Sequence, residues 1–183
     1  RRGGPPSPFI AIMNIIVACG GSGGHTFPGL ATAHELRARG HSVTLWLAGQ
    51  SIEDTVARAW SGPIHTIPAQ GFRGSPLRKL GAALKMAGAV ARGFHALGRQ
   101  RPDRLLAMGS YSSVGPVIAA RCRGIPVVLH ESNAIPGRAT CLLAPFARAI
   151  AIHFETCRSA LRHSRIVNTG MPLRPEFKTL APR

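Results

Sequence analysis

The 183-residue chain, 45% hydrophobic, is long enough for one well-buried domain and short for two. No stretch reaches ~18 uninterrupted apolar residues, so nothing reads as a transmembrane helix, and no signal peptide is visible. A net charge of +16, from 23 Lys and Arg against 7 Asp and Glu, implies an anionic partner: nucleic acid, an acidic lipid surface or a phosphorylated substrate. An Arg-rich genome composition competes with that implication, because Lys79, Lys85 and Lys178 are the only lysines. The distribution says more than the total. Residues 55–102 hold no acid but carry Arg58, Arg73, Arg78, Lys79, Lys85, Arg92, Arg99 and Arg101. A single-stranded nucleic-acid platform would interleave aromatics among such charges, and only Trp60, Phe72 and Phe94 are near, so no nucleic acid is expected as a partner.

In chain order, residues 1–12 read as an upstream or disordered extension: they are Pro/Gly-rich and Met13 stands just before the first strand. Ile15–Cys19 is a buried strand, followed by a helix over about 28–39 that stops at Gly40. Val43–Leu47 is the second strand, 52–60 a helix, and 64–67 a short third strand. A long helix covers about 77–99. Then come a strand at 105–108, a helix at 114–123, a strand at 127–130, a helix near 135–144, a strand at 149–152, a helix near 156–162 and a last strand at 165–167. Strand–helix alternation with continuously apolar strands predicts an α/β fold: a Rossmann-like parallel sheet with helices on both faces. Right-handed crossovers then bring the strand C-termini, and any ligand, to one edge. The cysteines Cys19, Cys122, Cys141 and Cys157 show no metal-binding spacing and suit reduced, buried thiols in the cytosol.

Three strand-to-helix segments carry chemistry. The first, Gly20-Gly21-Ser22-Gly23-Gly24-His25-Thr26-Phe27-Pro28, has glycines that let a ligand approach the backbone and a helix N-terminus that favours an anion. Pro28 suits the first helical turn. The segment is neither a dinucleotide GxGxxG nor a P-loop, and no acid ends the second strand to hold a ribose. His25 is a candidate general base or a polariser of a sugar hydroxyl. The second, Met108-Gly109-Ser110-Tyr111-Ser112-Ser113-Val114-Gly115-Pro116, repeats the pattern, although Ser112 or Ser113 serves equally as a helix cap. The third, His130-Glu131-Ser132-Asn133-Ala134-Ile135-Pro136-Gly137, adds an imidazole, an acid and an amide. Its competing interpretation is a cap and turn.

In the long helix, Leu77, Leu80, Leu84, Ala87, Ala91 and Phe94 share one face, with Arg78, Lys85, Arg92 and Arg99 as a stripe beside it. An apolar arc with a basic flank suits an anionic membrane interface. An ordinary surface helix packed on the sheet fits the same pattern.

The three segments, in this order, resemble the MurG family of bacterial peptidoglycan glycosyltransferases. GGSGGHTFPGLA is similar to the family's first glycine loop, MGSYSSVGP to its second, and PVVLHESNAIPG to its His-Glu-Gln-Asn segment. Gly71-Phe72-Arg73-Gly74 and Thr169-Gly170-Met171-Pro172-Leu173-Arg174 are similar to two further segments, so the resemblance runs from Met13 to Arg174. Ser110 departs from the family's Gly, Ser132 from its Gln and Met171 from its Asn, which bears on fine positioning and activity.

The resemblance implies the N-terminal, acceptor-binding half of a GT-B glycosyltransferase over 13–174, with 175–183 starting an interdomain linker and the C-terminal donor-binding domain absent. It implies transfer of N-acetylglucosamine from UDP-N-acetylglucosamine to lipid I, forming lipid II, by direct inverting displacement without metal or other cofactor. The residue roles that follow from it are His25 and Glu131 as catalytic residues, with Ser22, Gly23, Gly24, Asn133 and Arg174 on the donor side. Thr26, Tyr111, Ser112 and His130 would line the acceptor cleft, and Leu77, Arg78, Leu80, Leu84, Lys85 and Arg92 would meet the membrane. The implied partners are lipid I, UDP-N-acetylglucosamine through the second domain, and an anionic membrane surface on the cytoplasmic face, with other cell-wall synthesis proteins left open. On this expectation the chain alone is inactive. The alternatives are a non-catalytic membrane-associated module for a polyprenyl-diphosphate ligand, one subunit of a split transferase, and a nucleotide-binding α/β protein of other purpose.

Overall fold

A computed structural model describes residues 11–69 and 76–173, the side chains of 76–80 excepted. The strands β1 (Asn14–Ala18), β2 (Ser42–Leu47), β3 (Ile64–Thr66), β4 (Arg104–Ala107), β5 (Val127–Glu131), β6 (Ala149–Ile152) and β7 (Ile166–Asn168) form one sheet. Every pair is parallel and the order is β3-β2-β1-β4-β5-β6-β7. The helices are α1 (Gly23–Ala38), α2 (Glu53–Ala59), α3 (Pro76–Gln100), α4 (Val114–Cys122) and α5 (Arg138–Leu143).

Side chains alternate along each strand, and in the central strands both sets are largely apolar, so both faces must be covered. Ile15, Val17, Val43 and Leu45 pack with Leu30, Ala33, Val56 and Trp60 of α1, α2 and the residue after it. Ile16, Ala18, Trp46, Leu105 and Leu129 pack on the other face with Ala89, Leu97, Val117 and Ala120 of α3 and α4. Ile16, Leu45, Leu105 and Leu129 have no exposed surface, and each such burial stabilises the fold by about 1.5–3 kcal/mol.

The chain runs outward from β1 to β3, returns through α3 to β4, and then runs the opposite way. The reversal falls between neighbours β1 and β4, where the diverging crossovers leave a crevice at the strand C-termini. Polar burial concentrates there. Of the buried polar residues Thr26, His41, Glu53, Ser113, His130, Glu131, Ser132 and Thr140, all except His41 lie at the C-terminal end of a strand or on the segments that follow strands at that edge.

Several boundaries differ from expectation. Helix α1 starts at Gly23, with Ser22 as an extended cap residue, because the Ser22 carbonyl accepts from the His25 and Thr26 N–H groups at 3.0 and 2.9 Å. Pro28 therefore lies inside the helix rather than in its first turn. The helix near 135–144 begins only at Arg138, after Pro136 and the cap Gly137, and ends in a 3-10 turn, Ala144–Phe146, at Pro145. The helix near 156–162 is a 3-10 run, Glu155–Ala160, and another 3-10 turn, Tyr111–Ser113, precedes α4.

Candidate active site

The three segments singled out in the sequence converge at the β1–β4 reversal. The Gly20 carbonyl, after β1, accepts from the hydroxyls of Ser110 (2.9 Å) and Ser112 (2.5 Å), after β4. These two bonds staple the glycine turns together, and the two hydroxyls lie 2.6 Å from each other. The third segment joins through Ser132. Pro28 has no N–H to give Gly24, four residues earlier, and the Ser132 hydroxyl approaches that Gly24 carbonyl at 3.4 Å.

His25 is half-buried in the first turn of α1, with Nδ1 2.6 Å from the Met108 carbonyl. A carbonyl can only accept, so Nδ1 carries the proton, and in the neutral ring Nε2 holds the lone pair. That is the tautomer a general base needs. Gly109, at φ +85°, makes room for the ring, because a Cβ there would stand 3.2 Å from both Cε1 and Nδ1 of His25. Ser110 follows with φ 65° and ψ 167°, a backbone region that favours glycine. Its hydroxyl bonds to Gly20 and to the Ser112 N–H help hold it in that strained geometry.

Glu53, which sequence reasoning missed, braces the first turn. Its carboxylate, 3% exposed, accepts from the N–H groups of Gly21 (2.8 Å), Ala48 (2.9 Å) and Gly49 (2.7 Å). The available signal was an acid just beyond the end of β2 in a chain with only seven. Gly21 turns at φ +110°, which an L side chain rarely adopts. Cys19 beneath it is inert: burial, and then the negative charge of Glu53, push its thiol up to about 12.

Glu131, expected to be catalytic, has no exposed surface. Oε1 accepts from the backbone N–H (2.9 Å) and side-chain amide (2.7 Å) of Asn133, and Oε2 from the Gly137 N–H (2.9 Å). Burial alone would raise its pKa, but these bonds and one from Thr140 outweigh it, and the carboxyl sits below its ordinary value. The geometry makes Glu131 a brace of the 131–137 loop. Thr26 likewise leaves the cleft: it is fully buried and its hydroxyl donates to the Ser22 carbonyl at 2.7 Å.

Ser22, Gly24, Tyr111 and Asn133 stay exposed, and Gly23 is half-exposed. Gly23 and Gly24 lie in the first turn of α1, where the helix offers their N–H groups no partner and its dipole is positive. His130 is 3% exposed, with Nε2 3.5 Å from the Gly170 carbonyl and Nδ1 without a partner among the described residues. Burial lowers its pKa, against the Gly170 bond and the Glu131 charge, with His153 and His25 lowering it further. It lines a cavity of about 260 Å³ with Met108, Ala151, Thr169 and Met171. Arg174, the 71–74 segment, residues 1–10 and 175–183, and the side chains of Leu77, Arg78 and Leu80 lie outside the described residues. Among the described residues, no group of three or more His, Cys, Asp or Glu could hold a metal ion.

On α3, Met86, Ala89, Ala96 and Leu97 face the core shared by the sheet and α4, and Ala82 is buried as well. The apolar arc faces away: Leu84 is 68% and Phe94 41% exposed, and Ala87 and Ala91 are exposed with Lys85, Arg92 and Arg99. Phe94 carries the Arg123 guanidinium 3.9 Å from its ring centre. No helix among the described residues is long and apolar enough to cross a membrane.

A model of the glycosyltransferase family 28 N-terminal domain matches residues 15–152. A UDP-N-acetylglucosamine–N-acetylmuramyl-(pentapeptide) pyrophosphoryl-undecaprenol N-acetylglucosamine transferase of Tolumonas auensis is 41% identical over 168 residues, covering 91% of this chain and 47% of the relative. Acinetobacter baumannii MurG superposes with a TM-score of 0.76 at 28% identity, over 90% of this chain and 48% of its own. Arabidopsis thaliana UGT89C1, solved with UDP-L-rhamnose, superposes at 0.66 with 18% identity over 91% of this chain and 54% of its own, which bears on fold alone. The chain thus spans about half the length of the relatives it matches, and its fold is that of the N-terminal half of a GT-B glycosyltransferase.

Proposed function

This chain belongs to glycosyltransferase family 28, and from that premise we propose that it is the acceptor-binding half of the enzyme that converts lipid I to lipid II. The sugar donor is UDP-N-acetylglucosamine, bound mainly by a second domain, and the acceptor is the C4 hydroxyl of the lipid-linked muramyl sugar. His25 Nε2 takes the hydroxyl proton as the oxygen attacks the anomeric carbon. The bond to UDP breaks as the new one forms, UDP leaves with the electron pair, and the configuration inverts. The positive end of α1, at Ser22, Gly23 and Gly24, favours the charge that builds on the departing diphosphate. No step needs a metal or other cofactor. Asn133 and Arg174 complete the donor side, and Tyr111, Ser112 and His130 the acceptor side. Ser112 and His130 act mainly by holding the loops, and Glu131 acts as a positioning residue.

One observation carries this proposal: the His25 ring is fixed by the Met108 carbonyl in the base-ready tautomer, at the convergence of the three loops. The outward apolar arc of α3 with its basic flank supports peripheral attachment to the cytoplasmic membrane face, where lipid I would be met. The test is transfer of radiolabelled N-acetylglucosamine to a lipid I analogue, with and without the C-terminal half of a relative. Activity is expected only with that half present, reduced about 10²–10⁴-fold in a His25→Ala chain. If lipid I is bound tightly but complementation never yields transfer, the chain is a lipid-binding module instead.

A further inference from the structure

A second cavity, of about 620 Å³, lies between edge strand β3 and the C-terminal half of α3, and none of its lining residues belongs to the three loops. Arg92, His95 and Arg99 reach it from one side of α3, and His65 faces them from β3. Gln100 also lines it. The buried Trp46 donates its indole N–H to Gln100 Oε1 at 3.1 Å, which turns the amide oxygen inward and leaves the NH₂ group to offer. The Trp46 ring lies 5.3 Å from the His65 ring. No acid is among the described residues that line the groove, and residues 55–102 contain none. The rim is therefore rich in donors and cations, while Ala91 and Ala96 supply apolar ground.

We propose that this groove seats the phosphate of one anionic phospholipid, gripped by Arg92 and Arg99 together with His65 and His95. A soluble sugar phosphate would call for several acceptors around its hydroxyls, and the described lining side chains offer few, the Thr66 hydroxyl and the imidazoles. A lipid headgroup calls for cations beside apolar ground, which is what the groove offers. Ala91 belongs both to the groove and to the exposed arc with Leu84, so the site opens beside the surface assigned to the membrane. The assignment rests on the membrane part of the preceding proposal, and it makes attachment sensitive to pH. Burial lowers the pKa of His65, and the charged and titratable groups facing it are Arg92, His95 and Arg99. A bound phosphate would draw its pKa back up, so binding takes up protons and tightens as pH falls from about 8 to about 5.5.

The probe is dihexanoyl phosphatidylglycerol, kept monomeric below its micelle concentration and titrated calorimetrically into the full chain. Saturable one-to-one binding is expected, tighter at the lower pH. Arg99→Gln and His95→Gln, at exposed positions and checked for unchanged circular dichroism, should each weaken it at least about tenfold, the loss expected for one charge-assisted contact. If inorganic phosphate or glycerol 3-phosphate binds as tightly, the groove is a soluble-phosphate site and the lipid assignment falls. If the monomeric lipid does not saturate while the chain still sediments with phosphatidylglycerol vesicles, the groove proposal falls and the membrane-surface proposal stands. Saturable monomer binding without sedimentation on phosphatidylglycerol vesicles would overturn membrane attachment and, with it, the lipid assignment that rests on it.

Discussion

Replacing Glu53 by Gln removes one charge and no volume from a site that is 3% exposed. The carboxylate receives three backbone N–H groups, two at Oε2 from Ala48 and Gly49 and one at Oε1 from Gly21. A Gln oxygen can keep the Ala48 and Gly49 pair, but its NH₂ then faces the Gly21 N–H, donor against donor. One charge-assisted bond is lost, at about 1.5–3 kcal/mol, and the other two fall to the strength of neutral bonds. The total destabilisation is about 3–5 kcal/mol, which for a chain of this length lowers Tm by roughly 6–20 °C. Urea denaturation followed by circular dichroism measures it, with Glu35→Gln as the control. Glu35 pairs with Arg39 in an exposed i,i+4 ion pair, worth less than about 1 kcal/mol. Amide exchange at Gly21 should also accelerate in the Glu53 variant. A Glu53→Gln chain as stable as the control would refute the claim that this carboxylate braces the glycine turn.

Gly109→Ala places an L residue at φ +85°, costing about 1–2 kcal/mol, and pushes its Cβ against the His25 ring. The His25 ring signals in NMR should shift, and an unmoved ring would contradict the contact. Glu131 has a folded pKa below the ordinary 4.5, so its stabilising effect is present above that pH and is lost as pH falls through the folded value. The stability gap between the natural chain and Glu131→Gln should be flat above about pH 5 and close below it, as urea titrations at stepped pH would reveal. His130 has a folded pKa below 6.5, so the stability it gives in neutral form is full above pH 6.5 and is lost as pH falls through the folded value. Its ring proton should titrate with a midpoint below 6.5, and a midpoint above it would contradict the burial argument.

The central strands β1, β2, β4, β5 and β6 were legible in the sequence because apolar residues fall on both of their faces, as a parallel sheet covered on two sides requires, while the short edge strands β3 and β7, only partly buried, were legible from strand–helix alternation. The edge carrying the three loops followed from that topology. The start of α1 was hidden, because glycines weaken the helical signal and Pro28 imitates a first-turn residue, while the Ser22 carbonyl sets the boundary through contacts that no local pattern displays. Glu53 escaped notice because its partner Gly21 is 32 residues away. Glu131 was found by its rarity, yet its role could not be read from spacing: an acid at the end of a strand can face the cleft or, as here, turn onto the loop that follows. For α3 the sequence left two arrangements open, and the burial of Met86, Ala89 and Leu97 fixed the arc of Leu84 and Phe94 as the outer face.

The most direct test of the acceptor-half claim is equilibrium binding of two ligands to this chain alone, a short-chain lipid I analogue and UDP-N-acetylglucosamine. The account predicts saturable binding of the lipid I analogue, weakened when Tyr111 at the cleft becomes Ala, and little binding of the nucleotide sugar. Tight binding of UDP-N-acetylglucosamine with none of the lipid I analogue would contradict it.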